Sequence, residues 1–313
     1  MVLALAGCAP PAVRVATVPT AAPSPGPPHA AAKRAVLERV NAARRDAGLA
    51  PVAWDGVLER TGDTFCARLV DELSSGHVLA DDVPPYLRYV LAGGDGYHSQ
   101  NVGSFDSSAA IDPAGADAIA VTLLDRMLAE RPPDDGHRRT ILDPLATHLG
   151  VGVALDEGSV RVSHEFAVRR LVDWRPPPAA SRPQSVVTLA GAVDPPLEVA
   201  AIEVLWLPLP AGRPAGATPV RSYGYPPGRA MYSASAQGSV RPGEARPDTL
   251  ETDASGRFTF SWRTGPHEGV ELLVVGAGRR RAGSRLEPVG LGATVVTADG
   301  SLPPALAAWA ALR

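Results

Sequence analysis

The chain has 313 residues, which exceeds one ordinary hydrophobic core and favours two domains. Its 30 basic and 33 acidic residues leave a net charge of −3, which is too small to indicate a nucleic-acid partner. Apolar residues make up 45% of the chain but aromatic residues only 5%, so Ala, Val and Leu must build most of the core.

The N-terminal residues are typical of a bacterial export signal. Residues 5–8 read Leu-Ala-Gly-Cys, a lipobox pattern in which Cys8 becomes the lipidated N-terminus of the mature protein. The residues before Cys8 include no Lys or Arg, so we interpret residues 1–8 as a truncated lipoprotein signal. Residues 9–32 are rich in Pro and Ala and predict a disordered tether. We expect a lipid on Cys8 to anchor the protein, because no apolar run reaches the roughly 18 residues that span a bilayer.

Three helices are predicted after the tether. Residues 35–48 place apolar side chains near one face and end at Gly48, a common stop signal for a helix. A second helix begins at Asp55 and repeats its apolar residues at helical spacing. Cys66 flanks that apolar stripe, so we interpret it as a packing residue and not as a nucleophile. The third helix spans residues 116–130 and ends before a Pro-Pro pair.

Two Gly-His pairs stand on either side of the third helix. The first ends at His77 and is followed by the sequence His-Ser-Gln-Asn-Val-Gly at residues 98–103. The second ends at His137 and begins a short helical turn. We interpret His98, on a Gly-rich loop, and His148, just before a strand, as ordinary surface or core residues.

A β-hairpin is predicted after the second Gly-His pair. Residues 149–155 and 159–168 alternate side-chain types around a turn at residues 156–158. Successive side chains of a strand point to opposite faces of the sheet. We therefore expect that His164 and Glu165 cannot act as a pair on one face.

Taken in this order, the helix ending at Gly48 with its Pro-Trp-Asp turn, the two Gly-His pairs and the hairpin resemble the bacterial branch of the CAP superfamily (cysteine-rich secretory protein, antigen 5, pathogenesis-related 1). The resemblance covers residues 33–172 and implies an α+β fold, a three-layer α-β-α sandwich with a central antiparallel sheet. It also implies a solvent-open cleft lined by two histidines and two acidic residues, although glutamine stands here where relatives carry the first glutamate. The cleft residues that it implies are His77, Gln100, Asn101, Glu130 and His137.

These side chains permit more than one kind of chemistry. His77 and His137 with the Glu130 carboxylate could hold Zn²⁺ with an open fourth position, although no cofactor is certain from the sequence. Gln100 keeps an acceptor oxygen but supplies no charge, so we expect weak metal binding that Gln100→Glu would tighten. Hydrolysis is not established, because the sequence has no recognisable Ser or Cys nucleophile and no His-Glu-x-x-His helix.

The composition and pattern of the chain change after the CAP-like region. Residues 173–184 are rich in Pro and predict a stiff linker with few contacts across it. Residues 185–313 contain short β runs separated by Pro- and Gly-rich loops, which predict a β-sandwich of the Ig-like or prealbumin-like kind. We find no catalytic constellation in this region of the sequence.

The sequence as a whole favours an extracytoplasmic, membrane-anchored lipoprotein of a bacterial cell envelope. We expect it to be monomeric and non-enzymatic, and to bind a small apolar or amphipathic ligand, such as a lipid, or a divalent metal in the His/Glu cleft. A metal-assisted hydrolase that acts on envelope peptide or ester bonds is the alternative. A structural interaction protein with a degenerate cleft is a third possibility.

Overall fold

The computed structural model describes residues 29–214, 216–224, 229–235, 249–253, 255–278 and 287–313. The predicted signal with Cys8 and the tether up to residue 28 lie outside the described residues. The helices are α1 (Ala30–Asp46), α2 (Gly56–Asp71), α3 (Pro85–Leu91), α4 (Pro113–Ala129), α5 (Gly136–Ile141) and α6 (Pro304–Ala310). The strands are β1 (Ala53–Trp54), β2 (Tyr97–Asp106), β3 (His148–Asp156), β4 (Ser159–Val168), β5 (Leu171–Arg175), β6 (Ala180–Ser181), β7 (Val186–Val193), β8 (Glu198–Leu207), β9 (Arg229–Ser235), β10 (Thr249–Thr252), β11 (Arg257–Arg263), β12 (Gly269–Gly278) and β13 (Glu287–Val296). Among these described segments, no helix has the length and apolarity needed to cross a membrane.

Helix α1 begins at Ala30, inside the segment predicted as the end of the tether. Its first turns are rich in alanine, the residue with the highest helix propensity. Lys33 is fully buried there and donates to Glu59 at 2.9 Å and to Asp63 at 2.6 Å, both on α2. The start of α1 is therefore ordered by charge pairing that the composition of the segment does not reveal.

The first half of the chain forms a three-layer α-β-α arrangement around a sheet of order β1-β3-β4-β2. The predicted hairpin is confirmed as β3 and β4, which pair antiparallel. Strand β1 pairs parallel with β3, so the sheet is mixed and not purely antiparallel. Helices α1 and α4 pack on one face, and α2 and α3 lie on the other. Strand β2 is left at one edge of the sheet.

Glycines allow α2 to lie directly on β3. A Cβ atom on Gly152 would lie 2.1 Å from the carbonyl carbon of Gly62, and one on Gly150 would lie 2.3 Å from the backbone nitrogen of Glu59. The two glycines of β3 are two residues apart in the strand, so both face α2. This close approach fixes α2 against the sheet, and the loop after α2 carries His77.

A buried arginine fixes the position of α5. Arg44, on α1, donates to the backbone oxygens of Ile141 at 2.8 Å, Asp143 at 2.9 Å and Ala146 at 3.1 Å. These three carbonyls belong to the chain that leaves α5, where no helical partner is available for them. The short helix that carries His137 is therefore attached firmly to the first helix of the fold.

The second half contains two sheets that share one core. One sheet has the order β10-β11-β7-β5, and the other has the order β6-β13-β12-β8-β9. Buried side chains from both sheets meet in this core, with Phe260 and Trp262 from the first and Ile202 and Leu273 from the second. Alternation along these strands turns one side chain in two toward the shared core.

The two halves also share a hydrophobic core, which differs from the few contacts expected across a linker. Phe65 and Leu87 of the first half pack in one cluster with Leu272 and Leu291 of the second half and with Trp309 of α6. The segment 173–184 is itself built into the sheets, because it contains the end of β5 and all of β6. Proline tolerates edge positions and the gaps between strands, so a Pro-rich segment need not be a free spacer.

Candidate ligand cleft

A cavity of about 670 Å³ lies along the edge strand β2, within the size range of roughly 300–1,000 Å³ for small-ligand sites. Four parts of the first half meet there: the loop after α2, strand β2, the end of α4 and helix α5. All five side chains predicted for a cleft line this cavity, namely His77, Gln100, Asn101, Glu130 and His137.

Glu130 holds His137 through both carboxylate oxygens. Oε1 accepts from Nδ1 of His137 at 2.5 Å, and Oε2 accepts from the backbone N–H of His137 at 3.0 Å. A carboxylate oxygen accepts the hydrogen bond, so Nδ1 is the donor and Nε2 is the ring nitrogen left for a ligand. Asn101 adds a link to β2, because its Nδ2 donates to the backbone oxygen of His137 at 3.0 Å. The His137 side chain is nevertheless 40% exposed.

His77 is held by a chain of buried hydrogen bonds. Its Nδ1 lies 2.9 Å from Oε1 of Gln100, and Nε2 of Gln100 donates to Oε1 of Glu165 at 2.8 Å. The amide must turn its NH₂ group toward the carboxylate, which leaves its oxygen facing His77 as an acceptor. Nδ1 of His77 is then the donor, and Nε2 keeps the lone pair. The two cleft histidines therefore have the same tautomer, fixed by different groups.

Glu165 supplies the negative charge that position 100 lacks. It lies directly opposite Gln100 in the pairing of β2 with β4, and its second oxygen accepts from Nε2 of His98 at 2.9 Å. Burial raises the pKa of Glu165, but hydrogen bonds from His98 and Gln100 and the charge of Arg88 outweigh it and hold that pKa below its usual value. The carboxylate is therefore ionised although it is only 1% exposed.

Arg88 supports the back of His77. Its guanidinium is fully buried, donates to the backbone oxygen of His77 at 3.0 Å and lies over the ring of Phe65 at 4.1 Å. Burial lowers the pKa of Arg88 to about 10, which leaves it charged at neutral pH. The same guanidinium lies 5.3 Å from the ring of Trp309, so the C-terminal helix also contributes to this support.

The His77 imidazole is neutral at physiological pH. Burial lowers its pKa, and the hydrogen bond with Gln100 opposes this only in part. A neutral imidazole is the form that accepts a hydrogen bond or binds a metal ion.

The second half of the chain supplies one wall of the cleft. Arg221, Ser222, Tyr223 and Gly224 line the cavity together with the first-half residues. The ring of Tyr223 lies 4.9 Å from that of His77, at an angle of 60°. Burial raises the pKa of the Tyr223 phenol, whose oxygen also accepts a hydrogen bond from the backbone of Gln100.

The sequence analysis missed three residues at the cleft, namely His98 and Tyr223, which line it, and Glu165, which lies behind Gln100. His98 lies within β2 and is 1% exposed, not on a Gly-rich loop. The expectation for His164 and Glu165 holds, because they turn to opposite faces, yet Glu165 finds its partners on the neighbouring strand. The alternation of β4 gave the face of Glu165 but could not give the strand beside it.

Two further residues lie away from the cavity lining. Cys66 is fully buried, as predicted for a packing residue, and burial raises the pKa of its thiol. His164 is 1% exposed, and burial lowers its pKa to about 4. Neither of its ring nitrogens has a hydrogen-bond partner in the part of the chain that the structure describes.

The arrangement of the cleft favours two ligand atoms over three. Across the described ranges, no group of three or more His, Cys, Asp or Glu side chains is placed to hold a metal ion. Both carboxylate oxygens of Glu130 accept hydrogen bonds from His137, so Glu130 acts as the group that orients this ring. The chemistry that remains available comes from the Nε2 lone pairs of His77 and His137.

The first half of the chain matches a known family along almost its whole length. Residues 37–168 match the family model described as "CAP: Cysteine-rich secretory protein family". Residues 37–168 form a CAP domain. No curated protein sequence matches the chain.

Several solved structures resemble the CAP domain at low sequence identity. An extracellular protein containing an SCP domain from Bacillus anthracis is 18% identical over 47% of this chain and 45% of its own, with a TM-score of 0.33. An outer surface protein from Borrelia burgdorferi is 13% identical over 43% of this chain and 90% of its own, with a TM-score of 0.34. The CAP domain of enterococcal PrgA is 14% identical over 44% of this chain and 60% of its own, also with a TM-score of 0.34. The chain thus spans less than half the length of the Bacillus protein.

Proposed function

We propose that this chain is an extracytoplasmic binding protein of a bacterial cell envelope, and that its CAP cleft binds a small ligand through His77 and His137. The observation that carries the proposal is the shared tautomer of the two rings. Glu130 and Gln100 each engage an Nδ1 atom, which leaves each ring with Nε2 as an acceptor in one cavity. Two imidazole Nε2 atoms suit a divalent metal ion such as Zn²⁺, and they equally suit the hydroxyl of a small amphipathic molecule.

The same geometry favours binding over hydrolysis. A metal-assisted hydrolase needs a base near the reacting water, and Glu130 has both oxygens engaged with His137. Glu165 is ionised but buried behind Gln100, where it orients the amide. The two carboxylates thus support the histidines, and no predicted cleft residue is left as a base when both Nε2 atoms bind the metal ion.

The envelope location is part of the proposal. The lipobox pattern at Cys8 motivates it, since a lipid at that residue would hold the chain at the membrane surface. Cys8→Ser should shift the exported protein from the detergent phase to the aqueous phase in phase separation. Equal partitioning of the two forms would contradict anchoring through Cys8. The second half, which we propose to be a β-sandwich, shares a core with the CAP domain and would act with it as one unit.

Titration with Zn²⁺ at pH 7.5, followed by calorimetry, tests the cleft. We expect binding in the unmodified protein and affinity at least about ten-fold lower in His77→Ala and in His137→Ala. His148→Ala is the matched control, because this histidine lies at the start of β3 outside the cavity lining. Equal affinity in the unmodified protein and in both cleft variants would rule out a shared site.

A further inference from the structure

A segment from the second half crosses the His77 side of the cleft. We call residues 216–224 the strap; it belongs to the connection between β8 and β9. The backbone oxygen of Val220 accepts from the N–H of His77 at 2.7 Å. Tyr223 then places its ring against that of His77. The strap thus contacts His77 through both its backbone and the Tyr223 ring.

The start of the same connection is tied to the loop that carries His77. The N–H of Arg213 donates to the oxygen of Ala80 at 2.7 Å. The Arg213 guanidinium donates to the oxygens of Val78 at 3.3 Å and Thr218 at 2.6 Å, which joins the loop to the strap. Arg213 thus binds both the loop that carries His77 and the strap, which gives the strap a defined position, its seat.

The seat requires a glycine at position 76. A Cβ atom there would lie 2.7 Å from the backbone nitrogen of Val220 and 2.9 Å from its oxygen. Both distances are too short for real atoms, and the obstructing atoms are backbone. The Gly-His pair of the sequence thus has a second role, because its glycine admits the strap.

The strap is held by a few polar contacts at its seat and by Tyr223, which packs against the core shared by the two halves. Its neighbours Arg221, Ser222 and Gly224 are exposed. A segment with few buried apolar contacts opens at a lower free-energy cost than global unfolding. Such a segment is expected to open before the rest of the molecule unfolds.

We propose that the strap closes the cleft and that Tyr223 determines which ligands reach His77. With the strap seated, a metal ion or another small ligand reaches His77 from the side of His137, whose side chain is 40% exposed. A bulkier amphipathic ligand has to displace Tyr223. This inference rests on the proposed function for the role of the closure, but the closure itself is measured without any ligand.

Acylation of histidines by diethylpyrocarbonate, followed residue by residue with mass spectrometry, tests the closure. At pH 7, His77 is neutral and would react readily, so protection of it reports cover and not charge. We expect slow acylation of His77 and fast acylation of His137 in the unmodified protein. In Tyr223→Ala and Gly76→Ala, the rate at His77 should rise at least about ten-fold, because the strap no longer covers it.

Two further variants complete the design. Tyr223→Phe keeps the ring and should keep most of the protection, and Thr218→Ala removes only an exposed side chain of the strap and should match the unmodified protein. Thermal melts show which variants remain folded, and either of the two opening variants is sufficient. An unchanged rate at His77 in a folded opening variant, or equal rates at His77 and His137 in the unmodified protein, overturns the closure. Loss of Zn²⁺ binding in every form would instead reject the proposed ligand chemistry and leave the closure standing.

Discussion

The two histidines of the cleft stand in similar Gly-His pairs, but they differ in burial and in the groups that hold them. His77 is 8% exposed and is held by Gln100, Arg88 and the strap, so both halves of the chain contribute to its position. His137 lies on a helix of six residues, is held chiefly by Glu130 and has a side chain 40% exposed. The comparison shows that one cleft can combine a buried, firmly held imidazole with an accessible one. Changes on the His77 side should therefore cost more stability.

Removal of the two supporting carboxylates tests this difference directly. Glu165→Ala removes a buried, ionised acceptor from Gln100 and His98, and we expect a loss of about 3–5 kcal/mol in the free energy of unfolding. Glu130→Ala removes a partly exposed acceptor and should cost about 1 kcal/mol or less. Urea unfolding at pH 7 measures both. Similar losses in the two variants would show that the His77 side is not the more rigid one.

Acid should destabilise the protein through His164, which lies on the face of β4 opposite to Glu165. Its pKa is about 4 in the folded chain, lowered by burial against the partial compensation of Glu165, and near 6.5 when unfolded. The unfolded chain thus binds the proton first, so stability is fully present above pH 6.5 and falls by about 3 kcal/mol as the pH drops toward 4. His164→Gln should flatten the curve of unfolding free energy against pH in that window. Parallel curves for the two proteins would contradict this assignment.

Replacement of Gln100 tests the support of His77 at a single position. The sequence alone suggests that Gln100→Glu restores the family's acidic group and tightens metal binding. In the structure, the new carboxylate would face Glu165, whose Oε1 lies 2.8 Å from the amide nitrogen that it replaces. We expect a loss of about 1–3 kcal/mol in unfolding free energy, because a donor is lost and two like charges meet.

The charge-swapped variant is the matched control for this prediction. Gln100→Glu combined with Glu165→Gln again places one carboxylate opposite one amide at paired positions of β2 and β4. We expect it to recover most of the lost stability, and a double-mutant cycle measures the coupling. If the double variant is as unstable as the sum of the two single variants, the two side chains do not act as a pair.

The local features of this protein could be predicted from its amino-acid sequence. Periodicity and stop signals indicated α2, α4 and the β3–β4 hairpin, and the order of the motifs indicated the CAP domain. The cleft residues carried over from the family resemblance do line one cavity. Such features depend on neighbours in the sequence or on spacing along one element, which a single chain displays.

Features that depend on partners distant in the sequence became visible in the folded structure. Glu165 became a support of His77 only through the register of β2 against β4, and strand pairing is set by the whole sheet. Tyr223 and Trp309 reached the His77 region from the second half because the two halves share a core, whereas the Pro-rich composition of residues 173–184 suggested a spacer. Composition describes the flexibility of a free segment, and packing decides whether the segment is free.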